Sequence, residues 1–265
     1  MLSSLQNPLI KYIIKLQHKA AFRRKEQKFV VEGIKETLRA AEGGFRLEKL
    51  IVCKEILKQP DIIHHISATE IIEVSRKVYE HIAYRGGTEG IIAIGIQKPF
   101  PLKPECNGKN GLLLVAEKIQ KPGNIGALLR TTDAVGADCA IFISPATDLY
   151  NPNVIRASLG TLFTQSIAVT NLKSFFDFLI KYDYRLFAAT LQNANVYWNE
   201  DYSGKVAIGV GAEDKGLTKD FRRFAYRSIN IPMKGKADSL NVSVSAAVLL
   251  YEALRQKIQI DPFFK

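Results

Sequence analysis

A chain of 265 residues that is 47% hydrophobic and 24% charged has room for one large domain or two ordinary ones, and its composition is that of a globular protein. No run reaches the roughly 18 uninterrupted apolar residues of a membrane-spanning helix, and the start is broken by Lys11 and Lys15 and lacks a small-residue cleavage site, so a cytoplasmic protein with no membrane partner is expected. Thirty-seven Lys and Arg against 26 Asp and Glu leave a formal charge of +11, which points to a polyanion such as nucleic acid, the alternative being a merely basic surface.

Cys53, Cys106 and Cys139 are too widely spaced for a zinc motif or a disulfide framework, and His18, His64, His65 and His81 lack ligand spacing on a helix, so buried or incidental thiols and no metal are expected. In chain order, the first half opens with a basic helix from about Pro8. The run KLQHKAAFRRKEQK places Lys15, Lys19, Arg23, Arg24, Lys25 and Lys28 close together, enough for several phosphate contacts from one segment. A strand at FVVEG, a helix at IKETLRAAEGG stopped by Gly43 and Gly44, a strand at LEKLIVC, a strand and helix around IIEVSRKVYEHI and a strand at GIIAIGI complete a small α/β unit. Within it, AYRGGTEG reads either as a plain glycine-rich turn or as an RNA-facing loop presenting Tyr84 and Arg85.

Between Gln97 and Gly111 the sequence carries Pro99, Pro101, Pro104 and two Asn-Gly pairs, which is linker chemistry. The expected division is a domain over 1–98, a linker over 99–110 and a second domain over 111–265. After the linker, apolar runs at LLLVA, CAIFIS, SIAV, RLFAAT, KVAIGV and SINI alternate with helical segments NIGALLRTTDAVG, NPNVIRASLG, LKSFFDFLIKY and a long terminal helix from Leu240. Such alternation predicts a mostly parallel sheet with helices on both faces, whose ligands bind beyond the carboxyl ends of the strands.

Three segments after strands therefore matter. Asn124 opens a helical pattern with Arg130 less than two turns on; the two are either a cap and a solvated charge or parts of one site. Gly209, Gly211 and Gly216 follow a strand without the dinucleotide-binding spacing, and Glu213 sits among them in what is either an ordinary polar turn or a ligand loop. Ser239 suits a helix cap, whereas Asn241, a poor helix former ahead of a buried helix, needs a polar partner.

Together, P-x-N-x-G-x-x-x-R-T from Pro122, G-x-E-x-x-G-L from Gly211 and I-P-M-x-G-x-x-x-S-L-N-V-S-V from Ile231 resemble the three motifs of the SpoU (TrmH) RNA 2′-O-methyltransferases. The opening NPLIKYIIKLQHKAAFRRKEQKFVVEG resembles the substrate-binding domain often fused ahead of them. The resemblance implies an α/β catalytic domain with a C-terminal trefoil knot, a homodimer, and methyl transfer from S-adenosyl-L-methionine to a ribose 2′-hydroxyl without a metal. It implies Asn124, Arg130, Glu213, Ser239 and Asn241 as the polar catalytic set, and Gly211, Ile231 and Leu240, with Met233 and Thr190 nearby, as the cofactor cradle. The family gives Arg130 the part of general base; because a guanidinium stays protonated in proteins, the expectation here is that it fixes a phosphate and polarises the 2′-oxygen. Arg156 and Ser158 resemble a further family element facing RNA or a partner subunit, with ASLGTLF departing locally from the pattern. The implied substrate is structured RNA, 23S rRNA ahead of tRNA. The competing readings are a non-catalytic RNA-binding protein that keeps the fold and a nucleotide-dependent metabolic enzyme.

Overall fold

The computed structural model describes residues 1–84 and 89–260, the side chains of 259 and 260 excepted; Arg85 of the expected RNA-facing loop lies outside the described residues. Two compact units are present, Met1–Pro99 with Asp148–Gln165, and Phe100–Thr147 with Ser166–Lys265.

In the first unit, helices α1 (Pro8–His18) and α2 (Ala20–Glu26) precede β1 (Lys28–Glu32), α3 (Ile34–Glu42), β2 (Leu47–Val52), β3 (Ala68–Glu73), α4 (Arg76–Ile82) and β4 (Ile91–Ile96). The four strands form one mixed sheet in the order β1-β4-β2-β3. The expected single basic helix is broken at Lys19, whose extended backbone (φ −117°, ψ 102°) ends α1 and starts α2. Ile10, Ile13 and Leu16 of α1 are fully buried against Val30, Ile51, Val78 and Ile92, the 3-to-4 spacing that makes α1 amphipathic.

The segment Asp148–Gln165, which includes α6 (Pro152–Ala157), supplies part of this unit's core. Tyr150 stacks on Phe29 with centroids 5.3 Å apart, and Phe163 lies 5.1 Å from Phe29 and 5.0 Å from Phe45. Gly43 ends α3 here for a packing reason, since a Cβ would come within 1.9 Å of the Phe163 carbonyl oxygen. Ser158, expected to face RNA or a partner, is fully buried and donates its hydroxyl to the Ile155 carbonyl at 2.8 Å, so its role is internal; Arg156 is exposed.

Burial also divides the basic run. Arg23 is 1% exposed: its Nε meets Asp148 Oδ2 at 2.7 Å and its Nη1 donates to the Leu16 and Gln17 carbonyls at 2.7 and 3.0 Å. Lys28 pairs with Glu48 at 2.6 Å. Both are thereby engaged in the fold, leaving Lys15, Lys19, Arg24 and Lys25 as the exposed cations of that stretch.

In the second unit, β5 (Leu112–Glu117), α5 (Pro122–Ala134), β6 (Cys139–Ile143), β7 (Ile167–Thr170), α7 (Leu172–Tyr182), β8 (Arg185–Ala189), β9 (Asn195–Val196), β10 (Val206–Val210), α8 (Lys219–Phe224), β11 (Arg227–Asn230) and α9 (Val242–Ile260) follow in order. The seven strands form one sheet, β7-β6-β5-β10-β8-β11-β9, and every pairing in it is parallel. Strands β5, β6 and β10 are buried along their whole length, which is why they read as unbroken apolar runs rather than alternating ones. One face packs Leu113, Val115, Ile141 and Leu186 under Phe175, Phe178 and Leu179 of α7 and Phe221 of α8. Helices α5 and α9 pack against each other, with α9 over β5 and β10. Gly209 keeps β10 smooth where Phe221 crosses it; a Cβ there would stand 2.5 Å from the ring.

The sequence shows no pairing among the cysteines, but Cys106 and Cys139 are buried with their sulfurs 2.7 Å apart. The contact holds the Cys106 thiol below its usual range and, with burial, pushes that of Cys139 up. Among the described residues no helix is long and apolar enough to cross a membrane.

The Arg23–Asp148 pair sets a stability prediction. Asp148→Ala leaves a guanidinium buried without its counter-charge, so urea unfolding should show a loss of about 3–5 kcal/mol, with Asp148→Asn, which keeps an acceptor, losing less.

Candidate active site at the carboxyl edge of the parallel sheet

Because the strands run in one direction, the segments after β5, β8, β10 and β11 emerge at a single edge. There a cavity of about 640 Å³ is lined by Thr190, Gly211, Glu213, Ile231, Met233, Ser239, Leu240 and Asn241, with Val210, Ile229, Asn230 and Leu249 among its other walls. Eight sequence-nominated residues thus meet around one cavity, although they are drawn from three separate stretches of chain.

Each arrives for a local reason. β10 ends at Val210 and the chain doubles back, with an isolated bridge between Ala212 and Gly216. The turn is so tight that a Cβ on Gly211 would lie 2.2 Å from the Gly216 carbonyl carbon and 2.3 Å from the Leu217 nitrogen, so the turn itself requires glycine there. The far end of this loop is pinned by Glu117, a fully buried carboxylate at the end of β5, which accepts from the Thr218 backbone N–H at 2.8 Å and from its hydroxyl at 2.7 Å. Thr218 in turn caps α8.

Asn124 is not the helix cap that its position in the sequence allows. Helix α5 starts at Pro122 after Lys121, which places Asn124 inside the first turn, 9% exposed. Its Nδ2 donates to Glu213 Oε1 at 2.6 Å, and its Oδ1 accepts from Asn241 Nδ2 at 3.1 Å. Asn241, rather than Ser239, is the cap of α9, which begins at Val242 instead of Leu240. The Asn241 Oδ1 accepts from the Ser243 N–H at 2.9 Å and from its hydroxyl at 2.7 Å, while the Ser245 N–H reaches the Asn241 carbonyl at 2.9 Å. The partner that Asn241 required is therefore Asn124. Ser239 is exposed on the cavity rim.

Glu213 gathers further donors that its sequence context does not announce: the Lys121 N–H at 3.3 Å to Oε1 and the Gln120 N–H at 3.4 Å to Oε2. The Gln120 side chain donates to Asp214 at 3.1 Å. Burial pushes the Glu213 carboxyl up, but the Asn124 amide and the backbone N–H groups together outweigh it and hold the group below the usual glutamate range. Arg130 stands apart. It is exposed on α5, does not line the cavity, and makes no hydrogen bond or ion pair among the described residues.

Aliphatic walls from Val210, Ile229, Ile231 and Leu249 and a rim of mixed charge, with Lys121, Lys215 and Arg222 against Glu213 and Asp214, suit an amphiphilic, zwitterionic molecule. Asn230 also lines the cavity, but its side-chain oxygen is shielded from it and has no hydrogen-bond partner among the described residues. A nucleoside-bearing amino acid such as S-adenosylmethionine fits such a lining. Among the described residues there is no group of three or more His, Cys, Asp or Glu side chains able to hold a metal.

Comparison with known proteins agrees with this geometry. The model of the SpoU rRNA Methylase family matches residues 111–251, and that of the MRM3-like substrate binding domain matches residues 7–93. The chain belongs to the SpoU rRNA methylase family. It is 32% identical over 219 residues to the 23S rRNA (guanosine-2′-O-)-methyltransferase RlmB of Xylella fastidiosa, across 82% of this chain and 87% of that protein. A crystal structure of an RNA 2′-O ribose methyltransferase superposes with a TM-score of 0.86 at 36% identity, covering 97% of this chain and 99% of the other. The AdoMet-bound rRNA methyltransferase from Sinorhizobium meliloti superposes with a TM-score of 0.84 at 28% identity, covering 96% and 97%. This SpoU methylase is thus an S-adenosylmethionine-dependent RNA 2′-O-methyltransferase.

The depressed carboxyl of Glu213 gives a signed prediction. Since the folded-state value lies below the unfolded one, the ionised group stabilises the fold at every pH above the ordinary glutamate range, and the contribution fades as the pH falls through the lower folded value. Glu213→Gln should lower the thermal midpoint by roughly 2–4 °C at neutral pH, with the gap to wild type closing in acid. A gap that stays constant from neutral to acid pH would show that the charge of Glu213 does not hold the network.

Proposed function

We propose that this chain methylates a ribose 2′-hydroxyl in structured RNA of the cytoplasm, 23S rRNA in preference to tRNA, as a homodimer. In this reading residues 1–98 form an RNA-binding domain and 111–265 a catalytic domain. The observation that carries it is the meeting of three strand ends around a cavity whose rim is ordered by the Glu213–Asn124–Asn241 chain of hydrogen bonds. The preference for rRNA is supported by the RlmB relative, which methylates a guanosine ribose of 23S rRNA as its name states, and by the match to a substrate-binding domain over residues 7–93. Four exposed cations at Lys15, Lys19, Arg24 and Lys25 supply phosphate contacts. The trefoil knot implied by the family would involve the run from Ile231 to Asn241, which leaves β11 and crosses to α9 over β5 and β10.

S-adenosylmethionine supplies an electrophilic methyl group whose transfer leaves a neutral thioether. The chain's own residues do the rest. Gly211, Ile231 and Leu240, with Thr190 and Met233, form the walls that hold the cofactor. The Asn124 and Asn241 amides, oriented by the Glu213 carboxylate, and the Ser239 hydroxyl present fixed polar groups to the incoming ribose. Arg130, exposed and unpaired among the described residues, is free to clamp an RNA phosphate with its planar fork and polarise the 2′-oxygen; the proton leaves to a neighbouring acceptor, because a guanidinium does not give one up.

The dimer reading is supported by an apolar stripe on α9. Val244, Tyr251 and Ile258 recur every seven residues and are 47%, 50% and 37% exposed, a row that a second copy would cover. Tyr251→Asp should shift the mass measured by light scattering to that of a monomer while leaving the circular dichroism spectrum unchanged; an unaltered mass would remove α9 from the interface.

Arg130→Lys keeps the charge and loses the fork, so methyl transfer to RNA should fall at least tenfold with cofactor affinity and thermal midpoint unchanged. Near-normal turnover would count against bidentate positioning. The substrate itself is read by mapping ribose methylation in RNA from cells lacking the protein and restoring the missing mark with purified enzyme. A lost mark in 23S rRNA supports the reading, and a lost mark confined to tRNA replaces it.

A further inference from the structure

Two of the three cysteines in the chain stand together, away from the residues of the cofactor cavity. Cys139 is the first residue of β6 and fully buried, and Cys106, 3% exposed, ends the short turn Pro104–Cys106 ahead of β5. Both belong to the core that Leu113, Ile141 and Phe175 share, whereas Cys53 lies in the core of the first unit. The Cys106 and Cys139 sulfurs are 2.7 Å apart. That is well inside the roughly 3.5–4.0 Å at which unbonded carbon atoms rest, although sulfur is the larger atom, and not far beyond an S–S bond of about 2.05 Å. Little movement therefore separates the two thiols from a disulfide.

Cys106 is the thiol placed to react first. Lys103, Pro104 and Glu105 beside it are exposed, and its turn is closed by the Cys106 N–H on the Lys103 carbonyl at 3.0 Å and the Asn107 N–H on the Pro104 carbonyl at 2.9 Å, so a local opening uncovers the sulfur. The contact with Cys139 also holds the Cys106 thiol below its usual range, which favours the reactive thiolate. We propose that Cys106 and Cys139 are a redox pair that closes to a reversible disulfide by exchange with a small-molecule disulfide such as oxidised glutathione. The Cys106 thiolate attacks one glutathione sulfur, the glutathione S–S bond breaks, and one glutathione leaves as a thiolate. Cys139, which no longer faces a thiolate, then gives up its proton and attacks the Cys106 sulfur, releasing the second glutathione. Two protein thiols are oxidised, one glutathione disulfide is reduced, and the two protons lost by the protein end on the two glutathione thiols. In a reducing compartment the pair rests as thiols, and the bond is its oxidised state. Closing it joins residues 33 positions apart around β5 and α5, and so around Asn124 and Arg130, which stabilises the second unit by restricting its unfolded chain.

The test exposes the folded full chain to oxidised glutathione and counts thiols by intact mass and by alkylation after unfolding. Reduced protein should take up three alkyl groups and oxidised protein one, and the oxidised mass before alkylation should be lower by two hydrogens. A digest should join the peptides of Cys106 and Cys139. The thermal midpoint should rise by at least about 4 °C and return to its starting value in dithiothreitol. Cys53→Ala, which leaves the pair intact, should show the same rise, whereas Cys106→Ala should form no internal bridge and keep its midpoint. Three alkylated cysteines after oxidation, a glutathione that stays on Cys106, a link through Cys53, or a bridge that leaves the midpoint unmoved would each overturn the proposal. Should an alanine variant fail to fold, the wild-type digest and midpoint decide alone.

Discussion

The carboxylate of Glu213 fixes the direction of the hydrogen bonds that join Asn124 to Asn241 and the start of α9. An ionised carboxylate can only accept, so the Asn124 amide must turn its nitrogen toward Glu213 and its oxygen away. That oxygen then requires a donor, and Asn241 Nδ2 supplies it, which leaves Asn241 Oδ1 pointing at the first turn of α9 to cap it. One negative charge thereby orders three loops that are remote in sequence. Aspartate could cap α9 equally well, but its carboxylate has no proton to donate to Asn124. Asparagine is the residue that meets both demands.

This order is useful only because the strands beneath it are rigid. A fully parallel sheet buried on both faces leaves no freedom along β5, β6 and β10, and the tight turn at Gly211 and the Glu117–Thr218 clamp transmit that rigidity into the loop carrying Glu213. A site assembled from strand ends keeps its geometry without relying on the loops' own stability.

Much of this was legible in the sequence. The long apolar runs marked the buried strands, and the helices from Pro8, Ile34, Leu172 and near Leu240 followed from periodicity and capping. What escaped has physical reasons. β9 is two residues long at a sheet edge, and α8, KDFRRF, is too short and too charged to show a face. The packing of Asp148–Gln165 into the first unit, the burial of Arg23 against Asp148 and the approach of Cys106 to Cys139 depend on contacts distant in sequence, for which no local pattern exists. Among the site residues, the second and third motifs supply residues that line the cavity and the first meets them through Asn124, but the cap of α9 was placed two residues early. Gln120, Lys121 and Glu117 act through backbone donors or a buried strand end and left no mark that a motif could carry.

Buried polar groups mark where distant parts of the chain hold one another in place. Each one violates the local rule that interiors are apolar, and each must be resolved by a partner. Glu117 is resolved by Thr218, Arg23 by Asp148 and two carbonyls, and Asn124 by Glu213 and Asn241, all within the chain. Glu117 and Arg23 therefore belong to the architecture, and their worth is read in stability, whereas the Asn124 chain of bonds also shapes the cavity rim through Glu213 and Asn241.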